Sequence, residues 1–373
     1  MKKMLIVAKS LGGGGSETAM IEFINHLSSK KYDLSLLLLD KDDEYKYRLN
    51  KKVKLNYIQF DNSFYHSLAS MYSLLGKVIK KAHINKNIGI YDLLAKHTQA
   101  PSEKYDLAID FYGYGAFTTA YLALKVNASH KAVWLHDEQM PWVVNSQRYF
   151  DEIDKVCCVS QAIKTSFDKQ YPKYASKSLV IYNVIDTKRV VDKANEGYPD
   201  ELNPKDFNIV TVGRLTEQKG YDIAVSSVAV LKNKGLKFHW YGVGDGCDRE
   251  RLEKQIIRDD VSDVFTLLGR RDNPYVYIKA ADLYIQPSRH EGYSVAVTEA
   301  RILKKIIIAS NIPSNVEQIE EEKNGLICEL NVESLADTIE KVYSDSALRE
   351  KLQVNIEKDE IDFDSEINKI DTL

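Results

Sequence analysis

ADLYIQPSRHEGYSVAVTEA, residues 281–300, decides how this 373-residue chain is read. Ala281–Gln286 is a short apolar run, which fits a buried strand. Pro287 to Tyr293 then forms a loop containing Glu291 and Gly292, and a helix begins near Ser294 and carries Glu299. In such a strand–loop–helix unit the backbone N–H groups of Gly292, Tyr293, Ser294 and Val295 lack intrahelical partners and can receive an anion. Glu291 and Glu299 have seven residues between them and can hold the hydroxyls of two different sugars. The plain alternative is a pair of ordinary helix-associated glutamates.

The same alternation of short apolar runs and longer amphipathic stretches continues in both directions, which predicts parallel sheets covered by helices. In the second half it predicts strands at Phe207–Val212, Lys237–Tyr241, Val264–Leu267, Ala281–Gln286 and Lys305–Ala309. Helices are expected at Tyr221–Lys234, Asp248–Arg258 and Val332–Ser344. In the first half the strands are Met4–Ala8, Asp33–Leu39, Tyr105–Phe111, Lys131–Leu135, Lys155–Val159 and Leu179–Tyr182. Between the halves, 186–206 is polar, holds Pro199 and Pro204 and lacks apolar periodicity, so it reads as a linker. The expected division is 1–185, a linker at 186–206, a second domain at 207–360, and a tail at 361–373. Open α/β sheets bind ligands beyond the carboxyl ends of their strands, so a cleft between two such domains is where chemistry is expected.

Two further loops follow strands. Gly213-Arg214-Leu215-Thr216-Glu217-Gln218-Lys219-Gly220 places Arg214 and Lys219 between glycines. Two cations there can neutralise a diphosphate leaving group, although a solvated turn with two surface cations has the same spacing. Gly12-Gly13-Gly14-Gly15-Ser16-Glu17 follows the first strand. Consecutive glycines let backbone N–H groups approach an anion. This loop lacks the Gly-Lys-Ser/Thr of a P-loop and the third glycine of a dinucleotide fingerprint, and a tight turn is the simpler reading.

A hydrophobic content of 44% and a charged content of 28% are those of a globular protein with a proper core. The net charge of -3 argues against a general nucleic-acid binder. That charge is unevenly spread: residues 1–200 carry 28 Lys/Arg against 22 Asp/Glu, and residues 201–373 carry 23 against 32. No stretch reaches the roughly 20 apolar residues of a membrane span, and the start does not read as a signal peptide. Cys157, Cys158, Cys247 and Cys328 show no metal or redox spacing, consistent with reduced thiols in the cytoplasm.

The run Thr211–Leu326 resembles the donor-binding half of glycosyltransferase family 4, a group of retaining GT-B enzymes. The matching pieces are GRLTEQKG (213–220), YGVGDGCDRERLE (241–253), LLGRRDNPYVYIKAADLYIQPSRHEGYSVAVTEA (267–300) and NGLI (324–327), in the family's order. Glu291 and Glu299 match its E-x7-E signature. The resemblance implies a GT-B fold, two doubly wound Rossmann-like parallel-sheet domains facing each other across a cleft. It implies a hexosyltransferase-type enzyme that moves a sugar from a nucleotide diphosphate carrier, UDP by family frequency, to a hydroxyl acceptor. It gives Glu291 the donor sugar, Glu299 the ribose hydroxyls, Arg214 and Lys219 the diphosphate, and Gly292 to Val295 the phosphate-facing amides. Gly14 and Gly15 fall in its glycine-rich GGxE loop, and His136, after the strand ending at Leu135, stands where many members place a histidine near the donor sugar. CVSQAIKTSF (158–167) and IYNVIDTKR (181–189) resemble its nucleotide-facing connections, with Val184 replacing the commoner glycine. FDSEINKIDTL (363–373) matches a terminal helix that crosses back to the first domain.

Retention without an evident nucleophile implies departure and attack on one face of the sugar, driven by Arg214, Lys219 and the helix start rather than by a metal. The triplets Asp40-Lys41-Asp42 and Asp362-Phe363-Asp364 read as chance occurrences, so neither metal nor cofactor is expected beyond the nucleotide sugar. The segment 64–86 mixes Phe64, Tyr65, Met71, Tyr72 and leucines with Lys77, Lys80, Lys81 and Lys86. A basic amphipathic stretch of this kind can lie on an anionic bilayer. It would suit a glycan or lipid-linked acceptor in bacterial surface polysaccharide or glycoconjugate synthesis, and a location at the inner face of the plasma membrane. A helix packed on its own sheet is the alternative. Two competing functions remain: a sugar-nucleotide epimerase or hydrolase on the same scaffold, and a non-catalytic sugar-nucleotide-binding partner of another transferase.

Overall fold

The computed structural model describes residues 1–12, 14–27, 32–69, 89–113, 116–138, 140 and 143–373. The chain divides into two units, Met1–Val184 with Phe363–Leu373, and Ile185–Asp362. Each is a Rossmann-like layer of parallel strands covered by helices.

The first unit contains β1 (Lys2–Ala8), β2 (Tyr32–Leu38), β3 (Lys54–Tyr57), β4 (Tyr105–Asp110), β5 (Ala128–Leu135), β6 (Lys155–Cys158) and β7 (Ser178–Val180). They form a parallel sheet in the order β3-β2-β1-β4-β5-β6-β7. Met4 to Ala8 are buried without interruption, as expected of a central strand with helices on both faces. β3 is absent from the sequence reading because KLNY alternates exposed and half-buried positions on the sheet edge. Such an edge strand needs little apolar content.

The second unit contains β8 (Phe207–Val212), β9 (Phe238–Val243), β10 (Phe265–Gly269), β11 (Leu283–Gln286), β12 (Ile307–Ser310) and β13 (Leu326–Cys328). Their parallel order is β10-β9-β8-β11-β12-β13. Trp240 lies at its core with Ile209, Leu283 and Ile308. The strand order reverses between β8 and β11, and ligand crevices open at such switch points.

Part of the expected linker, 186–206, is helical. Thr187–Ala194 is a helix, capped by Asp186, whose carboxylate accepts from the Arg189 N–H. It buries only Val190 and Ala194, one short stripe in eight residues, which is too little periodicity to read. Its end is tied to the helix Tyr275–Ala280 by a Lys279–Asn195 hydrogen bond and by Asn273 Nδ2 donating to Lys193 O. Val184 is buried, and positive φ at non-glycine residues occurs among the described residues only at Asp260, Lys304 and Glu322. The turn there therefore does not require the glycine that Val184 replaces.

The tail Phe363–Leu373 packs in the first unit. Glu366 accepts from the Tyr182 N–H at 2.9 Å, Lys369 donates to Val180 O, and Tyr32 donates to Asp371 at 2.7 Å. Of the basic aromatic segment 64–86, only 64–69 fall among the described residues, so Lys77, Lys80, Lys81 and Lys86 lie outside them. No helix among the described residues is long and apolar enough to cross a membrane.

Candidate active site

The loops after β8 and β11 flank the switch point of the second unit, and side chains from the two meet. Lys219 Nζ donates to Glu291 Oε1 at 2.6 Å, with both side chains largely buried. Ser288 Oγ donates to the same carboxylate oxygen at 2.6 Å. Glu291 Oε2 accepts no hydrogen bond among the described residues and remains available to a hydroxyl.

The loops are locked together by backbone and charge. Gly220 has φ +69°, and a Cβ on it would stand 1.9 Å from Pro287 O. Only glycine meets both demands. Arg289 makes a two-pronged contact with Asp222 (2.8 and 2.7 Å) and donates to Glu217 O at 2.7 Å. The Arg289 N–H donates to Gln218 O, and Gln218 Nε2 donates to His290 O at 3.0 Å. Paired guanidinium–carboxylate bonds of this geometry fix orientation as well as distance.

Glu299 sits in the helix Val295–Ile302, buried, and accepts from Tyr275 Oη at 3.0 Å. Arg189 Nη1 donates to the same hydroxyl at 3.1 Å with its guanidinium over the Tyr275 ring. Ser294 caps the helix by accepting from the Val297 N–H. With the Gln318 amide oriented as its hydrogen-bond network requires, its oxygen accepts from the Ser294 N–H at 3.0 Å and its nitrogen donates to Thr298 Oγ1 at 2.8 Å. Of the four amides expected to face an anion, that of Ser294 is therefore engaged by Gln318. Those of Gly292 and Val295 have no hydrogen bond among the described residues, and Tyr293 is half-buried beside them.

Arg214 is exposed, and its side chain makes no hydrogen bond or ion pair among the described residues. It shares a loop with Lys219 without sharing its contact to Glu291.

In the first unit, Gly15 opens the helix Gly15–Leu27, and the position where a Gly14 side chain would stand is filled by the Glu17 carboxylate, which also accepts from Ser16 Oγ at 2.9 Å. A carboxylate in that place weakens the loop's attraction for an anion. His136 follows β5 and donates from Nε2 to Phe111 O at 3.1 Å, its ring packed on Phe111 at 4.8 Å. Burial pushes its imidazole down to about 4, so near neutrality it is uncharged with Nδ1 as an acceptor. At the end of β4, Asp110 is buried and accepts from Thr119 Oγ1 at 2.6 Å and the Tyr112 N–H at 3.0 Å. Burial pushes its carboxyl up to about 6.

Ser288, Arg289 with Asp222, Tyr275 and Gln318 escaped the sequence reading. Each acts through a partner distant in sequence, except Ser288, whose place in an alternating polar row was visible.

Residues 195–359 match the family model "Glycosyl transferases group 1". An uncharacterized glycosyltransferase of Haemophilus influenzae is 23% identical over 346 residues, 89% of this chain and 87% of its own. The matches support a GT-B glycosyltransferase. The 4-alpha-N-acetylgalactosaminyltransferase of Campylobacter jejuni named for an N-acetylgalactosamine-N,N'-diacetylbacillosaminyl-diphospho-undecaprenol substrate is 22% identical over 355 residues, 94% and 92% of the two chains. The GT-B fold is shared with Anabaena HepE in complex with UDP-glucose, at a TM-score of 0.74 and 19% identity over 100% of this chain and 99% of that one. Sucrose-phosphate synthase from Thermosynechococcus elongatus shares it at 0.73 and 15%, over 100% and 98%. Arg214, Lys219, Glu291 to Val295 and Glu299 all lie inside the segment matched by the family model.

Proposed function

We propose that this chain is a retaining glycosyltransferase of family 4 that transfers a sugar from a UDP-sugar to a hydroxyl acceptor. The observation that carries the reading is the Lys219–Glu291 contact across the two loops at the switch point. Glu291 Oε2 accepts a hydroxyl of the donor sugar while Oε1 stays with Lys219 and Ser288. Lys219, Arg214 and the amides of Gly292 and Val295 neutralise the diphosphate as the sugar–phosphate bond breaks and negative charge accumulates on the leaving oxygen. Glu299, steadied by Tyr275, holds the ribose hydroxyls. His136, at the end of β5, is the first-unit residue assigned to the donor sugar. The acceptor hydroxyl attacks the face from which the diphosphate departs.

The basic segment 64–86 and the lipid-linked substrate named for the Campylobacter relative favour a glycan acceptor on a lipid carrier at the cytoplasmic face of a membrane, as surface polysaccharide synthesis requires. The test is a panel of nucleotide sugars read first by thermal stabilisation, since tight ligands raise apparent stability by mass action. Product formation from the stabilising donor follows, with the anomeric configuration read by NMR. Retention is expected, and an inverted product would exclude the mechanism. Glu291→Gln keeps an oxygen that accepts from Lys219 and Ser288 but removes the counter-charge of the Lys219 ammonium, so transfer should vanish while unfolding stays cooperative at a lowered Tm. Wild-type turnover in that variant removes Glu291 from the site.

A further inference from the structure

We infer that Tyr284, Gln286 and Ser288 form a one-way hydrogen-bond relay that positions the Glu291 carboxylate, a role that rests on the proposed part of Glu291 in transfer. The three residues alternate along β11 and its continuation, so their side chains share one face, while Leu283 and Ile285 face the other way into the core. Tyr284, Gln286 and Ser288 are each fully buried. Tyr284 Oη lies 2.7 Å from Gln286 Oε1, Gln286 Nε2 lies 2.8 Å from Ser288 Oγ, and Ser288 Oγ lies 2.6 Å from Glu291 Oε1.

The direction follows from the end of the chain. Glu291 is ion-paired with the Lys219 ammonium at 2.6 Å, and a carboxylate only accepts. The Ser288 hydroxyl must therefore donate to it and accept from the Gln286 amide N–H. That turns the Gln286 carbonyl toward Tyr284, which must donate. All three dipoles point at one oxygen, and hydrogen bonds aligned head to tail polarise one another. A central parallel strand is ordinarily apolar throughout. Three polar side chains here carry a desolvation cost, and the relay directs the resulting bonds onto the carboxylate that meets the donor sugar. The fourth link, Lys219, arrives from the other loop, so the same oxygen is fixed from two sides and the other stays open. Tyr284, Gln286 and Ser288 touch no substrate in this scheme and are positioning residues.

The test is a double-mutant cycle with Ser288→Ala and Tyr284→Phe. Ser288→Ala should lower kcat roughly 10- to 100-fold, the scale of one hydrogen bond to a charged group, with the donor KM little changed. Tyr284→Phe should lower kcat a few-fold. Once the last link is cut the first cannot reach Glu291, so the double variant should be no slower than Ser288→Ala alone. Gln286→Met cuts the row in the middle and should behave as Tyr284→Phe does, which keeps the cycle usable if one variant folds poorly. Single effects that multiply in the double variant, an unchanged kcat in Ser288→Ala, or a loss carried wholly by KM would each overturn the relay. A wild-type protein that transfers sugar from no nucleotide donor would instead remove the proposed function. The relay is then judged by NMR of the Ser288 hydroxyl proton, which Tyr284→Phe should shift upfield. An unmoved resonance would overturn it.

Discussion

Lys219 and Glu291 form an ion pair whose side chains are 15% and 9% exposed. Taking two charges out of water costs more than a surface pair repays, and such a pair persists where further hydrogen bonds satisfy it. Ser288 supplies one of them. Asp110 is another buried carboxylate, without a cation partner among the described residues, and its titration gives a signed prediction. Its ordinary value is 3.8 and burial pushes it up to about 6, so the folded state binds the proton more tightly than the unfolded chain. The stabilising contribution is complete below 3.8 and is lost as pH rises through 6, leaving a buried charge near neutrality. Asp110→Asn should therefore be more stable than wild type at pH 8, by up to about 3 kcal/mol. That advantage should fade on acidification toward pH 4. Denaturant unfolding across this range checks it, and an advantage that grows in acid would contradict it.

At the scale of elements, two loops of eight residues or fewer become a site because each is clamped to the other. Gly220 and Arg289 provide that clamp, one by allowing the backbone to approach Pro287, the other by joining the helix start at Asp222 to the loop of Glu291. Gly220→Ala asks alanine to adopt φ +69° and drives its Cβ to 1.9 Å from a carbonyl oxygen. Strain of this kind costs at least about 2 kcal/mol. The variant should lose that much stability in denaturant titrations and lose nucleotide affinity with it, because Lys219 is the residue immediately before. Unaltered stability would mean that the loops are not in contact. The strand–loop–helix units themselves were legible, since apolar runs, glycines and helix periodicity are local signals. The partner of each loop residue was not, because Asp222 and Arg289 are 67 residues apart.

At the scale of the whole molecule, the chain leaves the first unit after Val184 and returns to it at Phe363. The returning segment buries Phe363, Glu366 and Ile370 and bonds to Tyr182, Val180 and Tyr32. Two buried apolar side chains stabilise by about 1.5–3 kcal/mol each. Deleting residues 363–373 should therefore speed amide hydrogen exchange in β6, β7 and Tyr182 of the first unit and leave β8 and β9 unaffected. Equal acceleration in both units would show that the tail is not confined to the first.

Sequence alone determined that this is an α/β protein of two parallel sheets, where most strands lie, and which loops carry glycine, cation and carboxylate, because each rests on residues a few positions apart. It also determined the E-x7-E pair through its resemblance to a known family. Tertiary structure alone decided that Lys219 touches Glu291 and Arg214 does not, that Gln318 engages the Ser294 amide, and that a helix occupies the expected linker. It also decided that a polar row under β11 ends at the carboxylate. Those contacts depend on which strands become neighbours, and strand order in a parallel sheet is set by packing between segments far apart in the chain.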